Sequence, residues 1–174
     1  VCSSDLQMLS FLLFGDGCAA ALITADSHGI GLDSFRALLV PDTQDWITWN
    51  IGGQGFDMVL SGQVPAGILS GLQSGKREIL GNAQVEEIDL WAVHPGGRTV
   101  LDAVERALSL PPDKLGFSRD ILRRFGNMSS ATVMFVLESM MRRQRAQAPG
   151  RQNGCAMSFG PGLVAETMRF HMAG

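Results

Sequence analysis

The 174-residue sequence has no tyrosine, and only 18% of its residues carry a charge. A net charge of −3 gives no reason to expect nucleic acid or an anionic membrane as a partner. Gly or a charged residue interrupts every apolar run before it reaches the roughly 20 residues that cross a bilayer. Val1 is not followed by a basic stretch leading into an apolar one, so the pattern of a secretory leader is missing. The initiator Met is missing too, which suggests a fragment. Cys2, Cys18 and Cys155 are odd in number and lack Cys-x-x-Cys spacing, which disfavours both a disulfide framework and a zinc site. The expected location is a reducing cytoplasm. There is no internal repeat and no low-complexity tract.

What the chain does have is core-forming material. Apolar residues make up 45%, enough for one domain or a piece of a larger one, and nine Met suit irregular cores or apolar tunnels. Leu9 to Thr24 reads as two strands about the Gly15-Asp16-Gly17 turn, and Phe35 to Val40 as a strand followed by loop. Gly55 to Ser61 alternates like a strand with one polar face. Val64 to Leu80, with Pro65 in its first turn, predicts a helix. A buried strand over Ile88 to Val93 is followed by a helix from Thr99 to Leu108. Ser118 suits an N-cap for a helix over Arg119 to Phe125. A strong helix is expected from Met128 to Arg143, with Val133, Met134, Val136, Leu137 and Met140 internal. Ala146 to Asn153 reads as a polar loop. Cys155 to Phe159 and Val164 to Phe170 close the chain as strands. Strands alternating with helices predict an α/β fold with buried, partly parallel strands and a final antiparallel addition.

Two short segments carry chemistry. His94 ends a buried strand at Pro95-Gly96-Gly97, and Asn127 follows the helix-ending Gly126, with Ser129 and Ser130 in the expected first turn of the next helix. A His and an Asn at such junctions are a plausible pair of donors to a carbonyl oxygen that becomes negative during reaction. Such a pair is half of an acyl-transfer site, and no nucleophile is evident beside it.

Four motifs occur in order: Phe14-Gly15-Asp16-Gly17, His94-Pro95-Gly96-Gly97, Gly126-Asn127-Met128-Ser129-Ser130 and Phe159-Gly160-Pro161-Gly162. Together they resemble the C-terminal half of the type III polyketide synthases, the chalcone- and stilbene-synthase-like enzymes, from about Leu12 to Met172. The segment Gly55 to Ser61 leading to Val64-Pro65 looks like the bacterial branch. The resemblance implies a thiolase-like layered fold (αβαβα), here the C-terminal half with the end of the N-terminal half, in a homodimer. It also implies a Cys-His-Asn triad, with His94 and Asn127 as its last two members. The nucleophilic Cys would lie before residue 1, and none of the three cysteines present inherits its role. Phe14 matches a gatekeeper, and Met58 stands where plant enzymes carry a second gatekeeping Phe, which hints at long acyl starters. Ser129, Phe159, Gly160 and Pro161 would line the substrate cavity. The implied substrates are acyl-CoA and malonyl-CoA, with no cofactor beyond these thioesters and no metal.

Each assignment has a plainer rival. His94 and Phe14 fit structural or core roles, Asn127 a simple N-cap, and Met58 a core position. Ser129 and Ser130 fit helix-start partners, and Gly160-Pro161-Gly162 a strand connector. Two other readings of the whole stay open. One is a ketoacyl-ACP synthase III, which usually carries His-Gln-Ala-Asn at the His94 motif and a Gly-Gly-Gly-type ending. The other is a truncated, non-catalytic chain acting as an interaction module.

Overall fold

The computed structural model describes residues 12–53, 55–147 and 150–172. Its strands are β1 (Ile30–Leu39), β2 (Ile47–Gly52), β3 (Gly55–Leu60), β4 (Leu90–Val93), β5 (Gln152–Gly160) and β6 (Val164–Met172). Its helices are α1 (Val64–Ser74), α2 (Lys76–Leu80), α3 (Arg98–Leu108), α4 (Gly116–Phe125) and α5 (Ala131–Gln147). A four-stranded sheet has the order β1-β6-β5-β4, and β2 and β3 form a separate hairpin. β4 and β5 run parallel, linked by the crossover through α3, α4 and α5, while β5–β6 and β6–β1 are antiparallel.

The sheet is apolar on both faces because helices cover both. Trp91, Val93, Cys155 and Met157 point into one core with Ile68 and Leu72 of α1 and Leu101 and Val104 of α3. The intervening Ala92 and Ala156 join Phe170 and Met172 in a second core with Ile121 of α4 and Val136, Leu137 and Met140 of α5. The period-two alternation of a strand thus feeds two helical layers, which is why these strands read as continuous apolar runs.

Several expectations need correction. Residues 9–11 lie outside the described residues; Leu12 and Leu13 are helical, Phe14 forms a single bridge, and 15–24 has no regular structure. A strand needs a neighbour to take up its N–H and C=O groups. Among the described residues no strand lies alongside 15–24. β1 begins five residues earlier than expected. The stretch after it, expected as loop, contains β2, which takes its strand form from pairing with β3. The expected helix Val64 to Leu80 breaks at Gly75 into α1 and α2. Ser118 caps nothing: it lies inside α4, fully buried, because α4 starts at Gly116 directly after the turn at Pro111 to Leu115. Helix α5 starts at Ala131 rather than Met128, because residues 127–130 form their own hydrogen-bonded loop.

Candidate active site

His94 stands at the C-terminal end of the parallel β4–β5 pair, the end of a parallel sheet where ligands characteristically bind. Its N–H donates to the Met157 carbonyl (2.7 Å), extending the ladder by one residue. Pro95 has no N–H and ends the ladder there. The chain folds back at once, with the Gly96 N–H donating to the His94 carbonyl (2.9 Å). The imidazole then lies against Gly96: a Cβ at that residue would sit 3.6 Å from both Cδ2 and Nε2 of His94. Burial pushes the His94 pKa down to about 4, so the ring is neutral near pH 7 and carries one N–H to donate.

Asn127 reaches the same glycine through the Gly96 carbonyl. Helix α4 ends at Gly126, whose φ of 72° belongs to the region that favours glycine. A Cβ there would also crowd the Leu13 carbonyl oxygen at 2.9 Å. Beyond it the Asn127 backbone pairs with the Phe14 segment: its N–H donates to the Leu13 carbonyl (2.9 Å), and the Gly15 N–H donates to its carbonyl (3.0 Å). A side chain on Gly15 would overlap the Phe125 carbonyl, so this approach needs glycine. The Asn127 carboxamide is held at both ends. Oδ1 accepts the Ser129 N–H (2.9 Å), and Nδ2 donates to the Gly96 carbonyl (3.2 Å). A backbone donor on one side and a backbone acceptor on the other leave no doubt about which atom is nitrogen. One N–H of Nδ2 remains to donate elsewhere.

The structure therefore brings His94 and Asn127 together on one glycine, with half-buried Phe14 alongside. Ser129, with φ of 57°, belongs to this cluster through its backbone. Phe159, Gly160 and Pro161 finish β5 at the same end of the sheet. Their turn is pinned to the segment after β1 by the Val40 N–H donating to the Leu163 carbonyl (3.0 Å). Met58 is elsewhere, on the hairpin opposite Trp49, and none of these bonds connects it to the cluster. Two hollows of about 210 and 480 Å³ are lined by neither His94 nor Asn127.

Among the described residues no group of three or more His, Cys, Asp or Glu side chains could hold a metal ion. No described helix is long and apolar enough to cross a membrane. Cys155 is buried in the sheet, and desolvation pushes its thiol pKa up to about 12, so it cannot serve as a thiolate nucleophile near neutral pH. Cys18 is exposed, and Cys2 lies outside the described residues. One participant was missed from the sequence: Thr132, fully buried, whose Oγ1 accepts the Met128 N–H (2.8 Å) and donates to the Ser129 carbonyl (2.7 Å). Its signal was a hydroxyl on the buried face of a helix whose first seven residues are otherwise apolar.

Known proteins show the same arrangement of sequence and fold. Residues 32–173 match the family "Chalcone and stilbene synthases, C-terminal domain". The chain is 36% identical to the "Alpha-pyrone synthesis polyketide synthase-like Pks18" of Mycobacterium tuberculosis, over 91% of its own length and 42% of that protein. It is 35% identical to the bisdemethoxycurcumin synthase of Oryza sativa subsp. japonica, over 91% of this chain and 43% of that one. Its fold matches PKS-I of the brown alga Ectocarpus siliculosus with a TM-score of 0.75 and 31% identity, over 87% of this chain and 42% of that structure. The chain thus spans less than half the length of the relatives it matches. These matches are decisive: the chain belongs to the chalcone and stilbene synthase family, the type III polyketide synthases, and matches its C-terminal domain.

Proposed function

We propose that the protein containing this chain extends an acyl-CoA starter with malonyl-CoA by decarboxylative Claisen condensation and then cyclises the product. The observation that carries this reading is the shared glycine, which lies against the His94 imidazole and accepts a hydrogen bond from the Asn127 carboxamide. Two neutral N–H donors beside one glycine suit the thioester carbonyl of malonyl-CoA. As CO₂ leaves, negative charge moves onto that oxygen, and donors already in position stabilise it without reorganising. The enolate carbon then attacks the acyl thioester on a cysteine supplied from outside residues 1–174, releasing the thiolate. Earlier in the cycle His94 accepts the proton of that cysteine. Burial opposes an imidazolium on its own, and a thiolate beside the ring supplies the opposite charge that makes it favourable.

Coenzyme A thioesters are the proposed substrates, with no other cofactor, in a cytoplasmic homodimer. Products of the alkylpyrone or alkylresorcinol type are favoured, supported by likeness to a relative named for alpha-pyrone synthesis and by Met58 at the gatekeeping position. Phe14, Met58, Ser129, Phe159, Gly160 and Pro161 are proposed to border the substrate. His94 borders neither hollow, and its reaction chamber is proposed to be completed by the part of the protein that supplies the cysteine.

The test is malonyl-CoA decarboxylation by the full-length protein. His94→Ala and Asn127→Ala should each lower the rate by about 10²–10³, the usual effect of removing one such donor. Retained decarboxylation in either variant removes that residue from the mechanism. Strict dependence on ACP-bound malonate, with none on malonyl-CoA, would move the protein to the fatty-acid condensing enzymes.

A further inference from the structure

We infer that Thr132 is the positioning residue that sets the Asn127 carboxamide. This inference rests on the proposed role of Asn127 as a donor. The loop from Asn127 to Ser130 has little regular structure to stabilise it, and Ser129 within it has φ of 57°, a conformation costly for a non-glycine residue. Such a turn persists only where surrounding bonds over-determine it.

Thr132 supplies those bonds. Its hydroxyl accepts the Met128 N–H at 2.8 Å and gives its own proton to the Ser129 carbonyl at 2.7 Å. The Thr132 N–H donates to the same Ser129 carbonyl at 3.1 Å. A hydroxyl has one proton, so the 3.5 Å approach of Oγ1 to Asn127 Oδ1 is a contact rather than a second full bond. The two strong bonds hold the peptide units on either side of the Met128–Ser129 junction. That junction carries the Ser129 N–H, which Asn127 Oδ1 accepts at 2.9 Å. Once Oδ1 is held there and Nδ2 is held by Gly96, the remaining N–H has one direction left. Thr132 is fully buried, so no water replaces its hydroxyl. Serine retains every one of these bonds, and valine none of those made by the hydroxyl.

The experiment uses the full-length protein and measures decarboxylation of malonyl-CoA, its kcat and KM, and thermal stability. Wild type and Asn127→Ala come first: absent wild-type activity, or full activity in Asn127→Ala, overturns the reading of Asn127 and this inference with it. With that reading secured, Thr132→Val should lower kcat about tenfold with little change in KM. Thr132→Ser should restore kcat to near wild type. In an Asn127→Ala background Thr132→Val should cost almost nothing further, because the group it positions is gone. If Thr132→Val does not fold, Thr132→Ser and Thr132→Cys carry the test: serine keeps the rate, and cysteine, a weak donor of similar size, lowers it. Wild-type kcat in a folded Thr132→Val or in Thr132→Cys, a loss in Thr132→Ser as large as in valine or cysteine, or additive losses in the double variant would each overturn the inference while leaving Asn127 in place.

Discussion

A neutral imidazole in a buried place ties the stability of this protein to pH through one residue. The His94 pKa falls from its ordinary 6.5 to about 4 because burial penalises the charged ring. Between those values the unfolded chain binds a proton that the folded chain refuses. Stability is therefore complete above pH 6.5 and declines as the pH drops toward 4, by about 3 kcal/mol from this residue. Replacing the nucleophilic cysteine of the full-length protein by alanine leaves burial as the cause that acts. In that background His94→Gln should flatten the melting-temperature profile between pH 4 and 6.5 relative to the protein with His94 intact. An unchanged slope would show that His94 is not the group responsible. Asn127 needs no such titration: its carboxamide is uncharged, and its orientation comes from the backbone on both sides.

The elements carrying the two donors are tied to each other by charge. Helix α3 leaves the His94 turn, and helix α4 arrives at Asn127. Between them Arg119 of α4 reaches both Asp102 (2.8 Å) and Glu105 (2.9 Å) of α3. The two carboxylates raise the Arg119 pKa against the lowering effect of its burial. All three side chains are partly solvated, so each pair alone contributes little, and a shared guanidinium makes the set worth more than one isolated pair. Arg119→Ala should cost about 1 kcal/mol in denaturant unfolding, and less of that difference should survive at 1 M salt. A salt-independent loss would instead indicate packing by the arginine stem. At this scale much was readable in advance: α3, β3, β5 and β6 follow from apolar spacing and from the Pro and Gly punctuation around them. β2 was passed over although Ile47, Trp49 and Ile51 alternate with Thr48, Asn50 and Gly52; the run is only six residues long, and pairing with β3 makes it a strand.

Across the whole molecule, apolar surface is left uncovered. Leu22, Ile23, Phe35 and Ile51 are between 66% and 88% exposed, with Leu32, Leu39, Trp49 and Val59 also exposed. Exposure of this many large apolar side chains suits a surface made to be covered. Produced alone, the 174-residue chain should self-associate, which light scattering behind a sizing column would show. A monodisperse monomer with a cooperative melt would contradict this.

The sequence by itself determined the α/β class, the two-sided burial of β4 and β5, and the four motifs that identify the family. Local chemistry explains this: periodicity, the missing N–H of Pro95 and the permissiveness of Gly126 act within a few residues of where they stand. Only the tertiary structure decided that His94 and Asn127 meet on Gly96, 31 residues before Asn127 in the chain, and that Leu13 and Gly15 clamp the same turn. It also moved Asn127 from a helix cap to the anchor of a separate loop and brought in Thr132. Those outcomes depend on which carbonyls and N–H groups the fold leaves within 3 Å or so of a side chain, and hydrogen bonds of that reach carry no signature in residue order.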